Sequence, residues 1–300
     1  MFEGLWNNKK KGCLGVSLSG MGLAYQYLDA TGAELASLSG LVPFENQALP
    51  ELVSGVLKSL SPKSSVSFVL APEHYKIVQV DRLDVPAEEM QRALTFAVKD
   101  LVESQPEDLV LDYMDQPAAL PGQNKLFVVC CNKGLIQSLV DICEDTGWEL
   151  KGITIEELAW RALLPQDDAA RLLVTQQGNE EVCLQIAKEN SSYFMRRLRG
   201  YSQLSEMNDE QIAQGLLDNL SLEIQRSVDY FESQLRQPPL KEVLLSLPSV
   251  HLGWMCQKLE EGFPSPIRRL GLQTDINLVQ ESYLNVAWGG ARLTVQGELL

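Results

Sequence analysis

The sequence predicts an α/β protein of two lobes with a cleft between them. Three observations lead there. Strand hairpins, a turn carrying glycine, and then alternating helices and strands occur once before residue 165 and again after it. The duplication is one of element order, not of residues. With 300 residues, 45% of them hydrophobic, the chain can bury two such units. Residues 165–168, Pro-Gln-Asp-Asp, have the composition of a crossing between them. On this reading lobe one covers about 1–165 and lobe two about 166–300.

In the first half, LGVSLSGMGLAYQY (14–27) rises to Leu18, breaks at Ser19, Gly20, Met21 and Gly22, and resumes at Leu23. With 33–39 beyond Ala30, Thr31 and Gly32, residues 13–18, 22–28 and 33–39 predict three antiparallel strands. Leu49, Leu52, Val53, Val56, Leu57 and Leu60 recur at helical spacing. A β-rich run at 66–71 ends at Pro72, and 77–83 predicts another strand. Pro86 opens a helix over 86–103, with Met90, Leu94, Ala97, Val98, Leu101 and Val102 on its apolar stripe. Residues 109–113 predict a strand, 116–123 a Pro/Gly-rich loop, and 126–131 a buried strand. A helix through Leu135, Leu139 and Cys143 ends at Thr146 and Gly147, and 153–164 continues as strand and then helix.

In the second half, strands are expected at 171–176, 181–187 and 192–198. Asn208, with Gln211 three residues on, caps one long helix that Pro238 and Pro239 stop. A strand at 243–247, a helix at 252–259, a strand at 267–272 and a helix at 278–293 follow.

Composition excludes several classes of function. A net charge of −15 argues against nucleic-acid binding, since only Lys9, Lys10, Lys11 and the Arg196, Arg197, Arg199 cluster offer positive charge. That cluster reads as a charged strand edge or a receiver for an acidic tail. The six cysteines form no CxxC pair and sit in apolar runs, as small buried hydrophobes do in a reducing compartment. His74 and His251, the two histidines, have neither metal-ligand spacing nor a triad context. No secretory signal, no GxxxxGK[ST] loop and no apolar run of membrane-spanning length is present. Phe2, Leu5 and Trp6 ahead of the three lysines could touch an anionic bilayer, but one short cluster is a marginal anchor and reads as a frayed terminus.

Certain stretches resemble a known family. The opening hairpin resembles the first phosphate-loop hairpin of actin-like ATPases. VDRLDVPAEEMQRALTFAVKDLVESQPEDLVLDY (80–113) resembles the inserted subdomain of the PilM family, the actin-like proteins of type IV pilus assembly. LSLEIQRSVDYFESQL (220–235) is similar to that family's long helix, and YLNVAWGGAR (283–292) to its closing helix. The resemblance implies a bilobal actin-like (ribonuclease H-like) ATPase fold, with inserted subdomains near 77–115 and 205–265. Within the family, the layout is most similar to the MshI type of mannose-sensitive haemagglutinin (MSHA) pilus biogenesis.

The phosphate motifs depart from the family pattern. An acid before each phosphate turn supplies the hard oxygen charge that Mg²⁺ needs. Here the first such position is Ser17, and the second turn reads VTQQG up to Gly178, with Glu180 and Glu181 only later. The expected glycine pair after the 243–247 strand is replaced by Leu247, Pro248, Ser249 and Val250, and proline offers neither positive φ nor an N–H donor. Ser17, Ser19, Gly20 and Gly178 are therefore expected to be vestiges of a nucleotide cleft. By resemblance, Glu223, Arg226 and Ser227 flank the place of an adenine, while Tyr230 and Phe231 read as core.

The implied function is a non-enzymatic scaffold at the cytoplasmic face of an inner membrane, peripheral through its partners. The resemblance implies that the N-terminal tail of a bitopic, PilN-like pilus protein lies in a groove beside the first inserted subdomain, with Arg82, Leu83, Ala97, Leu101, Leu111 and Tyr113 as candidate contacts. The pilus assembly ATPase is a second implied partner. No cofactor is expected, and any ATP binding is expected to be weak. The alternatives are a nucleotide-switch ATPase of the same fold and the cytoplasmic domain of a type II secretion platform.

Overall fold

The computed structural model describes residues 12–45, 47–61, 64–118, 120, 122–271 and 278–296. The aromatic and lysine cluster at the N-terminus and the end of the strand expected at 267–272 lie outside them. The first half runs β1 (Cys13–Ser19), β2 (Gly22–Leu28), β3 (Glu34–Pro43), α1 (Leu49–Ser59), β4 (Ser65–Leu70), β5 (Tyr75–Asp81), α2 (Ala87–Ala97), β6 (Leu109–Asp115), β7 (Lys125–Asn132), α3 (Lys133–Thr146), β8 (Glu149–Ile155) and α4 (Glu156–Ala162). The second runs β9 (Arg171–Thr175), β10 (Val182–Lys188), β11 (Ser191–Leu198), α5 (Asp209–Gln211), α6 (Leu217–Asp229), β12 (Glu242–Ser246), α7 (Leu252–Glu260), β13 (Ile267–Arg269) and α8 (Leu278–Gln296).

Each half builds the same sheet. The first has the order β3-β2-β1-β4-β8 and the second β11-β10-β9-β12-β13. In both, three antiparallel strands lead into two parallel ones. Parallel strands need helical crossovers, which cover the sheet, and β1 and β4 are accordingly buried at every residue. Leu14, Val16 and Leu18 face α1 and α3, while Gly15 on the opposite face lets α8 approach, because a side chain there would strike the Ala287 carbonyl.

Three expectations of domain organisation are corrected. The first inserted subdomain does not end near 115. Its sheet, β5-β7-β6, has β7 in the middle, so it extends to residue 132. The apolar run of β7 reads locally as a strand of the lobe itself. In the second lobe, 205–265 is not a separate body: Leu220, Ile224 and Phe231 pack on Leu172, Leu184 and Ile186 in one core, and β12 lies inside the main sheet. Finally α8, counted with lobe two by sequence, packs on β1, β2, β4 and α4 of lobe one. Its Gly289 touches the Ala159 backbone so closely that no Cβ fits.

The halves share apolar material. Val69 and Trp160 from the first, Leu173 and Leu244 from the second, and Val286 of α8 form one buried cluster. The single long helix expected from 208 to 237 is also broken. Asn208 does cap it reciprocally with Gln211, but Gln214 and Gly215 leave helical dihedrals before α6 begins. A π-helical turn at Tyr230–Gln234 then precedes the prolines.

Candidate functional site

The β1–β2 and β9–β10 turns face each other, as a phosphate site would require. Here the two turns touch. Gln177 Nε2 donates to Ser17 Oγ at 2.6 Å, and both residues are buried. Ser19 Oγ donates to the Gly22 carbonyl at 3.0 Å, closing its own hairpin. Gly178, at φ +54, donates its N–H to Ser282 Oγ of α8 at 3.1 Å. The positions where an acid would precede each turn hold Ser17 and Gln177; the nearest carboxylates are Glu73, against Gly20 of the first turn, and Glu180 in the second. Ser17, Ser19, Gly20 and Gly178 are brought together, but they line none of the three clefts described here. Gln177, which fills the gap, is the residue that sequence reasoning missed. Its signal was a glutamine pair immediately before the glycine.

Glu223 and Arg226 lie elsewhere, in a hollow between α6 and the end of β11. Glu223 pairs with Arg196 and, at 2.7 Å, with Arg226. Ser227 does not line that hollow; it is buried and donates to the Glu223 carbonyl at 2.8 Å, an ordinary back-bond within a helix.

A second tie crosses between the halves. Arg197 of β11 donates to Glu157 at 2.6 Å, and reaches Glu156 at 3.4 Å and the Tyr75 hydroxyl at 3.1 Å. Tyr75 donates to Glu157 at 2.5 Å, and Trp160 to Glu156 at 3.0 Å. Burial pushes the Glu156 carboxyl up, against the opposing pull of Arg197. Burial, and then Glu157, raises the Tyr75 phenol, which stays a donor. The insert, lobe one and lobe two thus meet at one partly buried guanidinium.

A slot of about 250 Å³ opens between the insert and lobe one, and most of the residues expected to line a partner groove do not border it. Val110, Met114, Val129 and Cys131 of the insert face Ile136, Ile153 and Leu158 of the lobe across it. Of the expected residues, Leu111 and Tyr113 border the slot, and both also pack under α2. Arg82, Leu83, Ala97 and Leu101 do not border it. Arg82 pairs with Asp115, Leu83 packs on the core of the insert, and Ala97 and Leu101 are exposed. On β6 itself, odd-numbered residues turn to α2 and even-numbered ones to the lobe. The slot lies between β6, an edge strand of its sheet, and β8, an edge strand of the lobe's sheet.

Among the described residues, no cluster of His, Cys, Asp and Glu could hold a metal ion, and no helix is long and apolar enough to cross a membrane. No protein-family model matches the chain, and no curated protein matches it in sequence. Solved structures do resemble it. A PilM–PilN type IV pilus biogenesis complex contains a chain at TM-score 0.68 and 14% identity, over 94% of this chain and 98% of that one. The cytoplasmic domain of EpsL, an inner-membrane component of the type II secretion system of Vibrio cholerae, aligns at TM-score 0.51 and 14% identity, over 92% and 94%. A Bacteroides thetaiotaomicron protein with an actin-like ATPase fold and unknown function aligns at 0.53 and 10%, over 95% and 98%. With the doubled sheet and the facing turns, these likenesses establish that the chain has the bilobal actin-like fold.

Proposed function

We propose that this chain is a non-hydrolysing scaffold of a type IV pilus assembly platform, of the MSHA type, at the cytoplasmic face of an inner membrane. It holds the N-terminal tail of a bitopic, PilN-like protein in the slot between the insert and lobe one. The observation that carries this reading is the slot itself, walled by apolar side chains and bounded by two strand edges. An extended tail gains backbone pairing from such an edge and places alternate side chains in the apolar wall. The likeness to the chain in a PilM–PilN complex supports the choice of partner. The contact between Ser17 and Gln177, which stand where an acid would precede each turn, supports a scaffold over a nucleotide switch.

The test measures affinity for a synthetic tail of the bitopic protein encoded beside this chain. Val110→Asp places a charge in the slot at a partly exposed position that the fold tolerates. The expected result is about tenfold weaker binding or worse, the cost of desolvating one unpaired carboxylate, with circular dichroism unchanged. Equal binding by the variant would remove the slot as the docking site. A neighbouring tail from secretion genes would instead point to a type II secretion platform.

A further inference from the structure

A second and larger cleft lies on the other side of the insert. β11 is the edge strand of the second lobe's sheet, and β5 is an edge strand of the insert's sheet. Between them opens a space of about 840 Å³. Past Arg196 and Arg199 it continues as the hollow of about 660 Å³ against α6. Its floor is the network of Tyr75, Glu157 and Arg197.

Two features of its lining point to an occupant. The first is charge. Lys76, Arg196, Arg197, Arg199 and Arg226 line the two spaces, against Glu157, Glu181 and Glu223. This is a positive surplus on a chain of net charge −15. Lys76 stands in no ion pair among the described residues, whereas Arg196 and Arg226 pair with Glu223, Arg197 with Glu157 and Arg199 with Glu181; Arg196 Nε and Arg197 Nη1 remain buried donors with no acceptor. The second is the apolar surface between the charges. Arg196 stacks over Phe194, with its guanidinium carbon 5.7 Å from the ring centre, and Phe194 meets Tyr230 at 5.4 Å between centroids. Phe127 and Ile77 form the opposite wall. Along this lining runs the outer backbone edge of β11, where Gln116 Nε2 donates to the Tyr193 carbonyl at a long 3.4 Å.

We propose that this cleft binds an extended acidic segment of a partner protein, added along the edge of β11. Its carboxylates lie against Lys76, Arg196 and Arg199, and its apolar side chains rest on Phe194, Tyr230 and Phe127. A strand edge satisfies backbone groups that only a polypeptide carries. A phosphate polymer has no such groups and gains nothing from the aromatic wall. The cleft shares no lining residue with the slot between insert and lobe one, so each proposal can fail without the other.

The test uses the full chain and a fluorescein-labelled peptide of about twelve residues alternating Glu and Tyr, matched to the length of a single added strand. Lys76→Glu with Arg199→Glu reverses two charges at exposed side chains, Arg199 being 92% exposed, so the fold is retained. Anisotropy should show binding that weakens about tenfold or more in the double variant and falls with added salt. Val110→Asp should leave it unchanged. Hydrogen exchange across 191–198 should slow in the complex. The proposal is overturned if the peptide does not bind, if a Lys-Tyr peptide binds equally well, or if exchange at 191–198 is unaltered. Inorganic polyphosphate binding as tightly as the peptide would mark a general anion site. A dimer dispersed by the double variant would mark a self-association surface. Either result would also overturn it.

Discussion

At the scale of single residues, Gly178 shows why the second turn reads as it does. Its φ of +54 is one that L side chains seldom adopt, and a Cβ there would run into the Tyr283 ring and hydroxyl of α8. Gly178→Ala should therefore cost about 2 kcal/mol or more, combining the left-handed backbone with a clash. Chemical denaturation measures this, and a cost under about 0.5 kcal/mol, the range of neutral surface changes, would show that the turn can relax. The packing of this glycine on α8 is independent of any acid before it. The absence of that acid was legible directly, since it is a residue identity. That Gln177 reaches Ser17 was not legible, since the two are far apart in sequence and only the facing of the lobes joins them.

At the scale of elements, the helical segment after residue 208 separates what is locally encoded from what is not. Its start is local: the Asn208 side chain accepts from the Gln211 N–H at 2.9 Å, and Gln211 returns a bond to the Asn208 N–H at 3.0 Å. Asn208→Ala should destabilise the protein by about 1 kcal/mol, as lost N-caps do. A midpoint shift in urea unfolding at unchanged slope would check it, whereas no shift would mean that water replaces the cap. The break at Gln214 and Gly215 uses a glycine at φ +98, and Ile212 and Leu217, on either side, both enter the core over the second sheet. Strand β6 teaches the same lesson. Apolar residues stand on both of its faces, so period alone cannot say which face meets α2 and which lines the slot.

At the scale of the whole molecule, the lobes are held against each other by a shared apolar cluster, by Gln177 on Ser17, and by Arg197 on Glu156 and Glu157. Removing the guanidinium leaves two buried carboxyl groups without it. Arg197→Ala should cost about 3–5 kcal/mol at neutral pH, the range for breaking a buried ion pair from one side. The sign with pH follows from Glu156. Burial raises its folded pKa, so the folded state holds the proton more tightly than the unfolded chain does. Stability from this group is present below its unfolded pKa and is lost as pH rises through the folded one. In the variant this loss is unopposed. Its deficit relative to the parent should thus grow from about pH 4 toward neutrality, measured by denaturation at each pH. A pH-independent deficit would contradict the assignment.

Nucleotide binding would be visible at the same scale. A ligand at a hundred times its dissociation constant stabilises a fold by roughly 2.7 kcal/mol, a melting shift on the order of 5–10 °C for domains of this size. With the turns in contact, millimolar Mg-ATP should shift the melting temperature by no more than about 1 °C, which corresponds to a dissociation constant of roughly millimolar or weaker. A shift of several degrees that Arg226→Ala removes would establish a working adenine site beside α6 and favour the nucleotide switch.

By itself the sequence determined the order of strands and helices, the hairpins that open both halves, the cap at Asn208 and the missing acids at both phosphate turns. Each depends on residues close together in the chain, through periodicity, turn chemistry or plain identity. The tertiary structure decided that β7 completes the insert, that α8 crosses back to the first lobe, that Val110 and Met114 rather than Leu83 and Leu101 wall the slot, and that Gln177 lies against Ser17. The reason is common to all four. An apolar strand or helix can be buried equally well in more than one place, and the choice is made by the shape of a surface assembled from distant parts of the chain.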